Sequence, residues 1–185
     1  MKIGYQGIEG CNSLAAARDM AQKLGWTQVE YVPLVHSQGV AEGLRSGLVD
    51  YGVMATLNHA AGVVTESEEA LASLPHRVLA TDCIPIHHCL FVRDACCAVP
   101  ELIASHPQAL AQCRGHLKAE YPEAVWQETE DTAMAARYLV QGKLPATAGV
   151  LCRRDAGEAL GLYLLRENME DDTRNATEFV LIERK

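Results

Sequence analysis

Short runs of β-forming residues alternate with helix-spaced apolar residues from one end of the chain to the other, and glycines punctuate the joins. That rhythm confines the chain to an α/β architecture, with helices laid on sheets. Lys2–Tyr5 reads as a first strand, Gly7 and Gly10 as a loop, and Leu14, Ala17, Ala21 and Leu24 as one face of a helix that stops at Gly25. Residues 29–33 read as a second strand. Ser37 is expected to cap a helix carrying Val40, Ala41 and Leu44 that ends at Gly47, and residues 51–55 form a third strand. A helical pattern resumes near Ala60 and runs to about Leu74.

Residues 78–92 are long for one strand and contain Pro85, so they read as an extended crossover into a second α/β set. In that set, residues 102–104 are a strand, Ser105 caps a helix over 108–118 with Pro107 in its first turn, and residues 125–127 are another strand. Asp131 or Thr132 starts a helix that ends at Gly142. Strand-like 146–151, a helix near 155–160 and a final strand at 179–182 complete the pattern, and the final strand can return to the first set. The expected fold class is therefore α/β, as two α/β lobes with a central cleft. Residues 1–78 plus about 163–185 would form the first lobe and about 79–162 the second.

Composition removes whole classes of function. Sixteen Lys plus Arg against twenty-four Asp plus Glu leave a formal charge of −8. Such a field repels phosphate backbones, so no nucleic acid partner is expected. No apolar run approaches the roughly 20 residues of a membrane span, and the N-terminus lacks the apolar core of a signal peptide, so a cytoplasmic protein is expected. The seven cysteines include no C-x-x-C pair, which indicates neither a disulfide framework nor a zinc knuckle. His87 and His88, adjacent on a strand, would point to opposite faces, so no metal site is expected there. The phosphate-loop, serine-hydrolase and zinc-protease motifs are missing.

Three loops would carry polar groups to strand ends, where open α/β sheets bind ligands. The first, from Gly7 through Gly10 to Ser13, either cradles an anion on backbone N–H groups or simply turns the chain. The second holds Asn58 and His59, and the third holds Ser105 and His106. An Asn or Ser at such a position is more often a helix cap than a substrate ligand. Cys11, near a helix start, is either a reactive or a structural thiol.

The motifs say more than their periodicity. Gly7-Ile8-Glu9-Gly10, Asn58-x-x-x-Gly62, Ile86-His87-His88-Cys89-Leu90, the run from Ser105 to Cys113 that reads SHPQALAQC, Asp131-Thr132-Ala133 and Asn175-x-Thr177-x-Phe179 resemble, in order and spacing, the prephenate dehydratase domain. The resemblance covers essentially the whole chain. It implies a two-lobed domain similar to type II periplasmic binding proteins and cofactor-free conversion of prephenate to phenylpyruvate in phenylalanine biosynthesis. It also implies a small-molecule carboxylate substrate and a homo-oligomer, a dimer by default.

By the same resemblance, Thr177 would help the ring hydroxyl leave, with Asn58 and Gln112 beside it as catalytic residues. Gly7, Gly10, Ser13, His59, Ser105, Thr132, Arg153, Glu178 and Phe179 would line the substrate site. The chain departs from the family where T-R-F reads Thr177-Glu178-Phe179 and where P-I-E-N-[ST] reads Ala55-Thr56-Leu57-Asn58-His59. Arg153 is a cation newly placed at a strand end, able either to offset the lost Arg or to point to solvent. The ACT domain that usually follows in the family is not expected here. Two other readings stand beside the dehydratase: a non-aromatising decarboxylase, and a non-catalytic binder in which Glu178 meets a ligand ammonium.

Overall fold

A computed structural model describes all 185 residues. The chain forms two compact units, Met1–Pro85 with Ala176–Lys185, and Ile86–Asn175. No helix is long and apolar enough to cross a membrane.

The first unit contains β1 (Lys2–Tyr5), α1 (Asn12–Lys23), β2 (Glu30–Pro33), α2 (Ser37–Ser46), β3 (Tyr51–Asn58), β4 (Gly62–Val63), α3 (Thr65–Ala72) and β5 (His76–Pro85). Its sheet is completed by the chain's last strand, Ala176–Arg184, giving the order β2-β1-β3-last-β5 with β4 hanging from β3. β1 runs parallel to β2 and β3, whereas the last strand is antiparallel to both of its neighbours. Strand alternation sorts the core into two layers. Val53 and Leu181 face Leu14, Ala17 and Met20 of α1, while Met54 and Ile182 face Val40, Leu44 and Ala70 of α2 and α3.

In the second unit the elements are β6 (Cys89–Val92), a 3₁₀ turn (Ala95–Cys97), β7 (Leu102–Ser105), α4 (Pro107–Gln112), α5 (Arg114–Glu120), β8 (Val125–Glu128), α6 (Thr132–Val140), β9 (Gly149–Cys152), α7 (Arg154–Ala159) and β10 (Tyr163–Arg166). The last strand of the chain is then β11 (Ala176–Arg184). The second sheet has the order β10-β6-β9-β7-β8, with β7 parallel to β8 and β9 and the other pairs antiparallel. Phe91, Val150 and Cys152 face Ala136 and Leu139 of α6, and Leu90 and Leu151 face Leu110 and Leu117 on the other side.

Several expectations change. The unit boundaries fall at Pro85 and Asn175 instead of 78 and 162, because residues 76–85 pair with β11 in the first sheet and 163–166 pair with β6 in the second. The supposed crossover is two strands, with Pro85 as the last residue of β5, where a missing N–H costs least. The helix expected over 108–118 breaks at Cys113 into α4 and α5. Ser37 lies inside α2, whose N-cap is His36. Its hydroxyl is fully buried and shares a 2.8 Å hydrogen bond with Ser67.

One helical glycine tests how tightly the second unit is packed. A Cβ on Gly157 in α7 would lie 2.5 Å from ring atoms of the fully buried Phe91. Helix propensity alone favours Gly157→Ala by about 1 kcal/mol. Overpacking against a ring with no room to retreat costs about 1–3 kcal/mol. The variant is therefore expected to unfold at lower urea than wild type, and an equal or higher midpoint would show that the core yields.

Candidate functional site

The last residue of β3, Asn58, is held by hydrogen bonds at both ends of its side-chain amide. Its Oδ1 accepts hydrogen bonds from the backbone N–H groups of Ala60 (3.1 Å) and Ala61 (2.9 Å), an Asx turn that starts the loop after the strand. Two N–H donors on one end of the amide decide its orientation, because an NH₂ group could not accept them. Nδ2 is thereby directed at Thr177 Oγ1, 2.8 Å away, with the Ala176 carbonyl at 3.5 Å. Thr177 stands directly opposite Asn58 in the β3–β11 register, and the two side chains are 6% and 7% exposed.

Since Nδ2 donates, the Thr177 oxygen accepts, and its own proton is directed elsewhere. A hydroxyl that accepts one hydrogen bond becomes a better donor of another, because the bonds polarise each other. The pair is therefore built to present an O–H.

Glu178 follows on the other face of β11. Its Oε1 lies 3.3 Å from Nε2 of His59, and both side chains are close to half exposed. Where the resemblance led us to look for an arginine, the strand end carries a carboxylate beside an imidazole. Phe179 is 1% exposed and belongs to the core against α1, so it anchors β11. Gly7 and Gly10 both take left-handed φ values, 98° and 92°, and Gly7 bridges to Val35. Cys11 is the N-cap of α1 and makes no side-chain cap; its thiol donates to the Gln6 carbonyl at 3.4 Å. Ser13 is buried in the first turn.

The second unit holds a different polar cluster. His87 and His88 diverge. His87 Nδ1 meets Glu170 Oε1 at 2.7 Å, while the His88 ring is buried and its Nε2 lies 2.8 Å from Gln112 Oε1. The backbone N–H of His88 donates to the other Glu170 oxygen at 2.9 Å. Burial lowers the pKa of His88, so its ring is neutral at pH 7 and donates Nε2–H to Gln112. Glu170 is only 1% exposed, and nothing in the acidic stretch 167–172 marks it in the sequence as interior. Its partners are the ring of the exposed His87 and the backbone N–H of the buried His88, neither of which is readable from the local sequence.

Other expected site residues of this unit are occupied structurally. Ser105 is fully buried at the end of β7 and donates to the Leu151 carbonyl at 2.7 Å. It does not cap α4; that role falls to His106, whose Nδ1 accepts from the Gln108 N–H. Thr132 opens α6 behind its N-cap Asp131, which accepts from Ala133 N–H at 2.7 Å. The Arg153 guanidinium forks onto Asp155, with contacts of 3.0 and 3.3 Å. Burial holds the thiols of Cys89, Cys113 and Cys152 above the ordinary cysteine value, so they remain protonated and inert.

The prephenate dehydratase profile matches residues 3–185. The chain belongs to the prephenate dehydratase family. Arogenate dehydratase 5 of Arabidopsis thaliana, a chloroplast protein, is 31% identical over 188 residues, covering all of this chain and 42% of the relative. A crystal structure of prephenate dehydratase from Arthrobacter aurescens in complex with L-Phe superposes with a TM-score of 0.87 at 25% identity, over all of this chain and 61% of that one. A periplasmic substrate-binding protein of an ABC transporter from Coxiella burnetii shares the fold at a TM-score of 0.52 and 14% identity, over all of this chain and 84% of that one. The chain spans 42% to 47% of the length of the curated relatives it matches. The α/β fold with its likeness to periplasmic binding proteins, and the family read from the prephenate dehydratase motifs, are thus as the sequence led us to expect.

The buried neutral ring of His88 has a measurable consequence. The unfolded chain takes up a proton there below the ordinary value of 6.5, whereas the folded chain resists it. The unfolded state then binds more protons, so stability falls as the pH drops through that value. In His88→Gln this contribution is removed, and the urea midpoint is expected to fall less than that of wild type between pH 7 and about pH 5. Parallel losses in the two proteins would rule out His88 as the source.

Proposed function

We propose that the chain is the catalytic domain of a prephenate dehydratase-type lyase in phenylalanine biosynthesis, with Thr177 as the group that assists departure of the ring hydroxyl. The observation that carries this reading is the 2.8 Å contact from Asn58 Nδ2 to Thr177 Oγ1, which leaves the threonine proton to be given away. The reaction balances without a cofactor. The C–C bond to the ring carboxylate breaks and releases CO₂, its electron pair enters the ring, and the C–O bond opposite breaks so that the hydroxyl leaves with a proton as water. Aromatisation drives the change, and the protein has to orient the substrate and supply a hydrogen bond to the departing oxygen. A threonine is a feeble acid in water, so its contribution rests on orientation and on the low exposure of the pair. Gln112, held at its carbonyl end by His88, is assigned to substrate positioning.

Glu178 supports a second reading of the substrate. Prephenate carries a keto acid side chain, and arogenate carries an ammonium in place of the keto group. A carboxylate at this strand end suits an ammonium and opposes an anion, and the similar Arabidopsis protein is named for arogenate. Gly7, Gly10, Ser13, His59, Ser105, Thr132, Arg153 and Phe179 remain assigned to the substrate site or its support. A cytoplasmic setting is proposed as well, consistent with seven free cysteines, together with a homo-oligomer, a dimer by default.

Purified protein given prephenate or arogenate, with products identified by mass spectrometry and ultraviolet absorbance, tests the proposal. Aromatic product is expected, with Thr177→Val reducing kcat by about 10²–10⁴-fold and Thr177→Ser retaining most of it. Glu178→Arg is expected to move the preference from arogenate toward prephenate. Undiminished turnover in Thr177→Val would overturn the assignment of the donor, and a non-aromatic decarboxylated product would overturn the reaction.

A further inference from the structure

Residues of the second unit that the proposed reaction does not use gather at the 3₁₀ turn Ala95–Cys97. Successive side chains on such a turn point about 120° apart, since it has three residues per turn. Cys96 and Cys97 would normally diverge. Here Asp94 draws them together: as the N-cap it accepts the Cys96 backbone N–H at 3.3 Å, and the same oxygen contacts the Cys96 thiol and stands 3.7 Å from Cys97 Sγ. The Cys97 thiol is steadied from behind by the Ala146 carbonyl at 3.4 Å. The two sulfurs and the carboxylate oxygen all lie within 4.8 Å of one another. Asp94 and Cys96 are exposed and Cys97 is half-buried, so solvent reaches the group.

We propose that Asp94, Cys96 and Cys97 form a binding site for one thiophilic divalent cation of the Zn²⁺ or Cd²⁺ type, with its fourth position open to water. The donor set decides the class of ion. Two thiolates select soft or borderline metals, and one carboxylate oxygen is compatible with zinc-like ions and not with a hard-ion site, which would want oxygen throughout. The spacing fits as well. Bonds of about 2.3 Å to sulfur and 2.0–2.2 Å to oxygen at tetrahedral angles separate S from O by about 3.6 Å and S from S by about 3.8 Å. The Asp94–Cys97 separation of 3.7 Å already matches, and the Asp94–Cys96 contact has only to widen as the thiol proton leaves. Each metal–sulfur bond forms as an S–H bond breaks, and the two protons go to the buffer. Asp94, already ionised, completes the charge of −3 that faces the ion.

Titration of the reduced protein with CdCl₂ or ZnCl₂, in the presence of a phosphine reductant, reads the site directly, because cadmium thiolates absorb in the ultraviolet by charge transfer. A band that saturates at one Cd²⁺ per chain is expected. It should be lost in the Cys96→Ser/Cys97→Ser double variant and kept in Cys83→Ser, which removes an exposed thiol of the other unit. Asp94→Asn should weaken binding by about tenfold or more, since even groups that only support metal ligands are worth that much. Both altered cysteines sit outside the core, so circular dichroism and urea midpoint should be unchanged in the double variant. A band that persists there, no band in wild type, or equal affinity in Asp94→Asn would each overturn the three-ligand site.

Discussion

The strand β11 is inserted between β3 and β5 and antiparallel to both, and this pairing governs the first unit. It joins residues separated by roughly 90 to 130 positions in sequence, so the first sheet is incomplete until the whole second unit has been made. The closure entropy of so long a loop grows only with the logarithm of its length, and two full ladders of backbone hydrogen bonds with Phe179, Leu181 and Ile182 buried offset it. Register matters more than length. A slip of one residue would turn Phe179 outward and carry Thr177 away from Asn58 to the opposite face. The core residues of β11 therefore fix, by alternation, which face its hydroxyl takes, and the register shift beside them sets Asn58 opposite it. The shift in register between Glu178 and Phe179 marks the place where the strand end carrying Thr177 and Glu178 departs from strict core pairing.

Adjacent residues at this strand end do unlike things, because successive side chains of a strand leave on opposite faces. Thr177 is buried and receives a neutral amide donor, while Glu178 is near half exposed and sits beside His59. The hydroxyl is oriented by hydrogen bonds and the carboxylate acts through charge. A substitution at Glu178 changes the electrostatic field at the strand end without disturbing the Asn58–Thr177 pair, because the two side chains leave the strand on opposite faces. Under the proposed function, substrate choice and proton donation would in this sense be separable on one dipeptide.

The element order was largely legible because glycine and proline chemistry is local. Gly25 and Gly47 end helices in left-handed conformations, and Asp131 caps α6, as their sequence positions imply. What the sequence hid was pairing. Whether residues 76–85 and 163–166 belong to one sheet or another depends on partners far along the chain, and no local signal distinguishes an edge strand of the first sheet from a crossover. Ser37 and Ser105 look like caps because serine before a helical pattern usually is one. Each instead spends its hydroxyl on a buried partner, Ser67 in one case and the Leu151 carbonyl in the other. Thr177 and Asn58 were found by motif alone; that they touch, and which of them donates, follows only from the register and from the two N–H groups on Asn58 Oδ1. Glu170 was missed because an acidic loop residue is nearly always solvated.

Glu170 also bears on why polar groups persist inside the second unit. A buried carboxylate is costly to desolvate, and removing only its partners would leave an uncompensated charge. Here the oxygens are met by the His87 ring and the His88 N–H, and the His88 ring passes the constraint on to Gln112. Well-packed apolar residues in the same places would commonly be neutral or stabilising, so stability does not account for the arrangement. Asn175 is a further buried polar side chain at the end of this unit. Polar groups linked in this way hold a few side chains in fixed orientations, which is worth more to a binding site than the last increments of stability.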